Sequence, residues 1–260
     1  MKIRLDKYLA DSGFGTRSEV KLLVKSGSIS LNGNVVKDSG IKIDTENDEI
    51  LVRGKRVGYS EYEYYMLHKP AGVITASRDK NEKTVIDLIK SKKRRDLFPV
   101  GRLDRDTEGL LLITNDGDLS HHLLSPSKHV SKTYLAFVTG EPSEDIYTHF
   151  KEGIDIGDDT LTKPAELRRF ASVSDVLNIY NDKVLEDRLS KYNDAYIFEI
   201  TITEGRYHEI KRMFEAEGCE VVYLKRYSMG SLILDFNLAP GEYRLLTDTE
   251  LSSLKNKEKK

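Results

Sequence analysis

The amino-acid sequence predicts an α+β protein, in which a small N-terminal module precedes a larger domain built on a mixed, mainly antiparallel sheet. The chain has 260 residues, and a single hydrophobic core stops growing at roughly 250 to 300 residues, so one or two domains are expected. Residues 1–58 have the pattern of two short helices and a hairpin. From residue 59 onward, strand-like runs outnumber helices and do not alternate with them regularly, which argues against a doubly wound parallel sheet. We therefore expect two domains, 1–58 and 59–260.

Two helices are expected in the N-terminal module. Leu5 and Leu9 lie at helical spacing, and Gly13 can end that helix in the left-handed conformation. Thr16–Glu19 has the pattern of a capping box, in which the threonine and glutamate side chains each satisfy a free backbone amide at a helix start. The second helix is expected to end at Ser26–Gly27.

A hairpin and a linker complete the module. The pair Asn32-Gly33 lies between the short runs Ser28–Leu31 and Val35–Lys37, and Asn-Gly between apolar runs is a strong hairpin signal. The segment Gly54–Gly58 is short and polar with two glycines. We interpret it as the linker to the larger domain.

The larger domain is predicted from its periodicity. Strands are expected at Tyr64–Leu67, Gly109–Thr114, Tyr134–Val138, Tyr196–Thr203, Glu220–Leu224 and Leu232–Leu234. Helices are expected at Thr84–Ser91, Asp118–Leu124 and Tyr207–Glu217, and a last helix begins at the capping box Thr247–Glu250.

The composition excludes several classes of protein. The chain carries 41 basic and 43 acidic side chains, which excludes a strongly basic nucleic-acid coat and an acidic solvating chain. Cys219 is the single cysteine, so neither an internal disulfide nor a zinc site of paired thiols is available. No apolar run approaches the roughly 18 residues of a membrane helix, and the N-terminus lacks a signal-peptide core. We expect a cytoplasmic protein with no membrane partner.

The charge is unevenly distributed along the chain. Residues 1–58 carry a net charge of +3 and residues 76–105 a net charge of +5, so a polyanion could bind the first half of the chain. The outer faces of the first helix pair are expected to present Arg4, Lys7, Arg17, Lys21 and Lys25. The alternative is that these are ordinary solvated helix faces.

The motifs of the first module resemble those of an S4 RNA-binding domain. They comprise Leu5–Leu9, Thr16–Val20, Ser26–Gly27, and Val35 after Asn32-Gly33. The resemblance implies a helix pair and hairpin that contact RNA by shape and phosphate rather than by reading base edges in a groove.

The segment Phe98–Gly117 contains the strongest candidate for chemistry. Its loop is bounded by Gly101 and Gly109 and contains three carboxylates and two arginines. An apolar strand follows the loop. Loops held between strands often carry catalytic groups, and arginines beside Asp104 favour the ionised form that a nucleophile or base needs. An exposed turn whose charges neutralise each other is the alternative.

Two other enzyme classes match parts of this loop. Asp104–Thr107 is similar to the Asp-x-Asp-Thr start of phosphatases that form an aspartyl phosphate, but Gly101 and Arg102 interrupt the apolar strand that such enzymes need. A retaining glycosidase needs two carboxylates about 5 Å apart, and the loop contains candidates. Neither class explains an attached RNA-binding module, and a module that only binds RNA is a further alternative.

A third class accounts for the loop and the module together. The segment Gly101–Asp104, followed by Thr107–Gly117, resembles the central motif of pseudouridine synthases. Further segments resemble the branch that modifies small-subunit ribosomal RNA. They occur in family order at Met66–Gly72, Ser125–His129, Lys132–Tyr134, Leu161–Ala165, Glu204–Phe214 and Leu238–Arg244.

The resemblance implies roles for individual residues. Asp104 occupies the position of the catalytic aspartate, Tyr134 that of the active-site tyrosine, and Lys211 that of a basic residue that pairs with the aspartate. The residues expected around a flipped nucleotide and its phosphates are Arg102, Lys132, Arg206, Tyr207 and His208. No metal or other cofactor is implied, and whether the aspartate acts as nucleophile or base stays open.

The resemblance also implies a substrate. It is one uridine of 16S ribosomal RNA, at position 516, presented as free RNA or in a small-subunit assembly intermediate. No obligate protein partner is implied, and we expect a monomer. Two features depart from the family pattern: Glu209 stands where glutamine is usual, and the stretch 172–194 is longer and more charged, either an extended hairpin or a helical insertion.

Overall fold

A computed structural model describes residues 1–90, 94–182, 184–189, 191–192 and 194–256. The chain divides into two compact units, of which the first comprises Met1–Glu63 with Lys90–Leu97 and the second comprises Tyr64–Ile89 with Phe98–Lys260. The domain limits expected from the sequence, 1–58 and 59–260, stay a prediction. None of the helices in the described ranges is long and apolar enough to cross a membrane.

The first unit packs two helices against short strands. Its elements are β1 (Lys2–Arg4), α1 (Leu5–Asp11), α2 (Arg17–Lys25), β2 (Ile29–Leu31), β3 (Asn34–Val35), β4 (Lys42–Asp44), β5 (Ile50–Val52) and β6 (Lys55–Arg56). The predicted capping box is present, because the Thr16 amide donates to Glu19 Oε2 at 2.6 Å and the Glu19 amide donates to Thr16 Oγ1 at 3.3 Å. Leu5 and Leu9 are fully buried in the core of this unit, as their helical spacing predicts.

The turns of the first unit follow glycine and asparagine. Asn32 and Gly33 have φ values of 50° and 82°, so they form the predicted tight turn between β2 and β3. The expectation of a linker at 54–58 is wrong. Arg53 and Gly54, with φ values of 50° and 76°, form a second such turn, and β6 then pairs with β5. Val57 is buried in the same core, which ties this segment to the first unit.

The second unit contains most of the secondary structure. Its strands are β7 (Tyr64–Lys69), β8 (Phe98–Pro99), β9 (Glu108–Thr114), β10 (Lys132–Thr139), β11 (Glu166–Phe170), β12 (Tyr196–Ile202), β13 (Glu220–Met229), β14 (Leu232–Ile233) and β15 (Tyr243–Leu245). Its helices are α3 (Val85–Leu88), α4 (Gly117–Leu124), α5 (Ile146–Glu152), α6 (Val173–Tyr180), α7 (Val184–Leu189), α8 (Glu209–Ala216) and α9 (Asp248–Lys255).

One mixed sheet organises the second unit. The strand order is β11-β12-β10-β13-β9-β7-β15, with β14 paired to β13 and β8 paired to β9. Of the pairings described, β13 with β9 is parallel and the others are antiparallel, which confirms the mixed, mainly antiparallel sheet. β9 is buried along its whole length, as its apolar run predicts. The parallel register sets Gly109 opposite Arg226 and so brings the start of β9 beside β13.

Three predicted helices differ from the structure. The helix expected at 84–91 is the single turn α3, and the end of that expectation, 91, lies outside the described residues. The helix expected from Tyr207 begins at Glu209, because His208 has a φ of 49° and cannot continue a right-handed helix. The helix expected at Asp118–Leu124 begins one residue earlier, at Gly117, and Asp116 caps it, since Asp116 Oδ1 accepts the Leu119 amide at 3.0 Å.

The described part of the stretch 172–194 contains helices α6 and α7 rather than the alternative of an extended hairpin, and we call it the insertion below. Helices α6 and α7 bury Val176 and Leu185 against the sheet residues Leu135 and Phe137. Asp182, between the two helices, is 1% exposed. It accepts hydrogen bonds from the Lys225 ammonium at 2.6 Å and from the Tyr227 hydroxyl at 3.0 Å.

Candidate active site

The loop between β8 and β9 carries Asp104 and is held by hydrogen bonds to its backbone. Thr75 Oγ1 donates to the Leu103 carbonyl at 2.6 Å, and the Leu103 amide donates back to Thr75 Oγ1 at 3.2 Å. The Gly72 amide donates to the Arg105 carbonyl at 2.7 Å. These contacts hold the backbone on both sides of Asp104.

Lys69, at the end of β7, is the central support of this loop. Its side chain is fully buried, and its ammonium lies within hydrogen-bond distance of four carbonyl oxygens. The distances are 2.9 Å to Asp104, 3.2 Å to Arg105, 2.8 Å to Thr107 and 3.1 Å to Pro70. Burial lowers the pKa of Lys69 to about 8, against the opposing effect of nearby carboxylates. The four oxygens offset the loss of hydration that burial imposes on the ammonium.

The Asp104 carboxylate lies between two basic side chains of the 204–212 segment. His208 Nε2 is 3.4 Å from Asp104 Oδ1, and Lys211 Nζ is 3.7 Å from Asp104 Oδ2. The Asp104 side chain is 28% exposed, so it remains accessible to a ligand. A carboxylate placed in this way can act as a nucleophile or accept a proton.

Lys211 is shared between two carboxylates. Its ammonium donates to both oxygens of Asp106 at 2.7 Å, closer than its 3.7 Å approach to Asp104. Desolvation is the largest single influence on Asp106 and favours the neutral acid. The hydrogen bonds and charge of Lys211, a backbone hydrogen bond and the charge of His208 together outweigh it, so the Asp106 pKa is lowered. The Lys211 side chain is 24% exposed, so its ammonium is only partly shielded from water.

A pocket of about 440 Å³, partly open to solvent, lies beside Asp104. It is lined by Arg102, Leu103, Asp104, Thr107, Tyr134, Ile202, Gly205, Arg206, His208, Glu209, Ile210, Lys211 and Leu224. Tyr134, on β10, is 7% exposed and forms part of the wall. The pocket therefore combines an acid, cations, an aromatic side chain and apolar walls.

The residues expected around a nucleotide differ in how they are placed. Arg102 is exposed at the pocket, whereas the Arg206 guanidinium is held by the Thr160 and Leu161 carbonyls at 2.7 and 2.6 Å. Tyr207 is 77% exposed and stacks on the His208 ring, with the ring centroids 3.9 Å apart.

Lys132 does not line the pocket. Its side chain is buried, and its ammonium donates to the Val130 carbonyl at 2.9 Å. Burial lowers the pKa of Lys132. In this structure the expected contact of Lys132 with a bound nucleotide has no direct geometric support.

The expected RNA-binding residues of the first unit are all exposed. They are Arg4, Lys7, Arg17, Lys21 and Lys25. Arg4 also binds Asp6, with Nη2 2.8 Å from Asp6 Oδ2, so its charge is partly neutralised. The other four cations leave a basic face on the helix pair.

Sequence reasoning missed the supporting role of Lys69 and Thr75. Lys69 lies in a motif that the sequence singled out, and a lysine that ends a strand buried along its whole length is unusual. That signal indicated a buried partner, but three of the four carbonyl acceptors belong to a loop 35 to 38 residues further along the chain.

The fold places a carboxylate, Asp104, on a hydrogen-bonded loop at the wall of a pocket. The sequence model of the RNA pseudouridylate synthase family matches residues 63–216, and that of the S4 domain matches residues 3–50. This chain belongs to the RNA pseudouridine synthase family and carries an N-terminal S4 domain. It is therefore an isomerase that acts on RNA.

Relatives of this chain match it over nearly its full length. An uncharacterized RNA pseudouridine synthase of Bacillus subtilis is 44% identical over 97% of this chain and 98% of its own length. Ribosomal large subunit pseudouridine synthase B of B. subtilis is 37% identical over 97% and 95%. Ribosomal small subunit pseudouridine synthase A of Haemophilus influenzae is 35% identical over 97% and 99%.

A solved structure supports the same assignment. The crystal structure of a pseudouridylate synthase, 35% identical in sequence, superposes with a TM-score of 0.62 over 97% of this chain and 99% of that chain. The similarity therefore includes both the S4 domain and the synthase domain.

Proposed function

We propose that this enzyme converts one uridine of 16S ribosomal RNA, at position 516, to pseudouridine, with Asp104 as the catalytic residue. The observation that carries the proposal is the Asp104 carboxylate at the wall of a pocket that also contains Tyr134 and His208. The full-length similarity to small-subunit synthase A supports the choice of RNA. A target in large-subunit RNA is the second candidate, because synthase B is similar to a comparable extent.

The reaction needs only groups that the pocket contains. The bond between ribose C1′ and uracil N1 breaks, the uracil turns, and a bond forms between C1′ and C5. N1 gains a proton and C5 loses one, so atoms and electrons balance without an added reactant. Asp104 begins the reaction either as a nucleophile or as a base, and a carboxylate is suited to both.

The pocket also has to accept a base that has left its stack. Eversion costs a few kcal/mol, which stacking on a pocket side chain partly offsets. Tyr134 supplies an aromatic surface in the wall, and Arg102 is exposed where a phosphate of the everted nucleotide would pass. The Arg206 guanidinium is already bound to carbonyl oxygens, so we assign it to holding the pocket wall.

The first unit supplies affinity for the RNA. Its exposed cations neutralise phosphates, which releases counterions and makes binding depend strongly on salt. We propose that the enzyme works as a monomer on free 16S RNA or on a small-subunit precursor particle. Measuring the rate of isomerisation on free 16S RNA and on the precursor particle distinguishes these two substrates.

The test is tritium release from RNA labelled at uracil C5, followed by mapping of pseudouridine across 16S and 23S RNA. Wild-type enzyme is expected to release tritium and to modify position 516, whereas Asp104→Asn releases none and still binds RNA. Modification confined to 23S RNA would replace the proposed target by the second candidate. Full activity of Asp104→Asn would remove Asp104 from the mechanism.

A further inference from the structure

Glu209, the first residue of α8, is an acid in a place where a charge is costly. Its side chain is 4% exposed, and it lines the pocket that contains Asp104. Its Oε2 atom accepts the Arg206 amide at 2.8 Å, whereas its buried Oε1 atom has no hydrogen-bond acceptor or donor assigned to it in the described part of the chain. A buried carboxylate without a cation normally takes up a proton.

The neighbour that can accept a hydrogen bond from protonated Glu209 is Glu204. Burial raises the pKa of Glu209 most, and the negative charge of the Glu204 side chain and a hydrogen bond with that side chain both raise it further. Glu204 is the better anion of the two, because its Oε1 accepts the Lys163 amide at 2.7 Å and lies 3.2 Å from Arg206 Nε. The proton therefore belongs on Glu209.

The cations around Glu209 form no ion pair with it in the described part of the chain. On β10, Lys132 donates to the Val130 carbonyl. On β13, Arg226 Nε donates to the Leu110 carbonyl at 2.8 Å, and Arg226 Nη2 has no hydrogen-bond partner there. The Lys163 ammonium donates to the Pro126 carbonyl at 3.2 Å. Beyond Glu209 in the pocket, His208 faces Asp104. Ionised Glu209 would thus face Glu204 without a cation bound to it.

We propose that Glu209 works as a neutral carboxylic acid that donates its proton to Glu204, and that this pair is a positioning device for the turn 204–209. The inference rests on the proposed function, since this turn carries His208 and Arg206 to the pocket. Burial, with the adjacent negative charge of Glu204, raises the pKa of Glu209 to about 7. Glutamine, the usual residue of the family at this position, makes the same donation at any pH.

The pair makes the pocket sensitive to pH near neutrality. When Glu209 loses its proton, the hydrogen bond to Glu204 is lost and two negative charges adjoin, and their repulsion displaces the turn that carries His208. The rate of isomerisation should therefore fall as the pH rises through about 7. Folding stability should follow the same sign: the contribution of Glu209 is complete below the ordinary glutamate pKa and is lost as the pH rises to about 7.

The first experiment requires no substrate. The carboxyl carbon of Glu209 is followed by NMR in wild-type protein labelled with ¹³C-glutamate, and its signal is identified by its absence from Glu209→Gln. A titration midpoint of the Glu209 carboxyl near pH 7 supports the proposed Glu209–Glu204 pair. A titration midpoint below pH 5, close to the ordinary pKa of glutamate, overturns it. A midpoint near 7 in a protein that isomerises no RNA would retain the pair and reject the proposed function.

The second experiment compares rates. Between pH 6 and pH 8, the single-turnover rate of the wild type is expected to fall up to about tenfold relative to that of Glu209→Gln, because the protonated fraction of Glu209 falls by that factor. Glu215→Gln is the matched control, since it removes a charge from the exposed face of the same helix and should keep the wild-type profile. Parallel profiles for the wild type and Glu209→Gln would overturn the inference.

Discussion

The ammonium of Lys69 donates to the carbonyl oxygen of Asp104 at 2.9 Å, so a side chain at the end of β7 fixes the backbone of the residue whose carboxylate faces the pocket. The same ammonium reaches the carbonyls of Arg105 and Thr107. These three carbonyls point to one centre, and they would repel each other without a positive charge between them. Lys69 is therefore a positioning residue for the loop and does not touch the pocket itself.

Replacing Lys69 with methionine should damage the loop more than the fold. The variant leaves buried carbonyl oxygens without a donor, at a cost of about 1 to 3 kcal/mol for each group that water cannot reach. We expect a loss of about 3 kcal/mol in the free energy of unfolding and a fall in kcat of about a hundredfold, since a 1 Å displacement of a reactive group has such an effect. Urea unfolding and single-turnover tritium release measure the two quantities. Lys80→Met, at an exposed site of the same unit, is the control. A kcat of Lys69→Met equal to that of Lys80→Met would contradict the role of Lys69.

The support of this loop shows what the sequence could and could not predict. The capping box at Thr16, the turn at Asn32-Gly33 and the apolar run of β9 are local signals, and the structure contains each of them. The parallel pairing of β9 with β13 and the acceptors of Lys69 depend on residues far apart in the chain. Hydrophobic periodicity is a local pattern and does not indicate contacts between distant residues. These two features could therefore be recognised only from the three-dimensional structure.

Resemblance to a family gave positions in the pocket but not contacts. It pointed to Asp104, Tyr134 and Lys211, which line one pocket, and their catalytic roles stay a prediction. It did not indicate that Lys211 binds Asp106 more closely than Asp104, or that the Lys132 ammonium is bound to a carbonyl oxygen. These outcomes depend on side-chain conformation and burial, which a motif does not specify.

Lys211 and Asp106 should contribute unequally to the reaction. The Asp106 side chain is 72% exposed, and exposed ion pairs contribute about 0 to 1 kcal/mol, so Asp106→Asn should change kcat less than fivefold. Lys211→Met removes a cation 3.7 Å from Asp104 and should lower kcat about a hundredfold at unchanged RNA affinity. Single-turnover rates at saturating RNA, with RNA binding measured separately, provide the test. A larger effect of Asp106→Asn than of Lys211→Met would assign the main role to Asp106.

Gly109 allows β9 to approach β13. Its φ is 107°, and a Cβ atom at this position would lie 2.2 Å from the Arg226 carbonyl oxygen. Gly109→Ala must therefore separate the two strands beside the Asp104 loop, and we expect a loss of about 3 kcal/mol or more in the free energy of unfolding. Gly117→Ala, at a helix start with open space around it, should be neutral or stabilising by up to about 1 kcal/mol. Equal stabilities for the two variants would show that the strands tolerate the extra carbon.

The basic face of α2 should determine affinity without affecting the chemical step. Removing one lysine that contacts a phosphate lowers the slope of log K against log salt by about 0.7 to 0.9. The double variant Lys21→Ala/Lys25→Ala is therefore expected to weaken RNA binding and to reduce that slope by about 1.5 if both residues contact phosphate. The single-turnover rate at saturating RNA should stay unchanged. Lys151→Ala, on an exposed face of α5, is the control. If Lys151→Ala weakened RNA binding as much as the double variant does, the basic face of α2 would have no special role in RNA binding.

The buried pair of Asp182 and Lys225 should anchor the insertion to the sheet. The two side chains are 1% and 0% exposed, so removing one partner leaves a buried charge without its counter-ion, at a cost of about 3 to 5 kcal/mol. Asp182→Asn and Lys225→Met should each lose about that much in the free energy of unfolding. The double variant should lose clearly less than the sum, because no unpaired charge remains.

The same cycle tests whether the insertion supports the active site. Arg188 of α7 forms an ion pair with Glu108, the first residue of β9 and the neighbour of the Asp104 loop. Release of α6 and α7 in Asp182→Asn should therefore increase amide hydrogen exchange in 173–182 and also at the start of β9. Glu82→Gln, which breaks an exposed pair with Arg105, should change stability by less than about 1 kcal/mol. Strictly additive losses in the double variant, with hydrogen exchange unchanged in β9, would show that the two residues act independently and that the insertion does not support the loop.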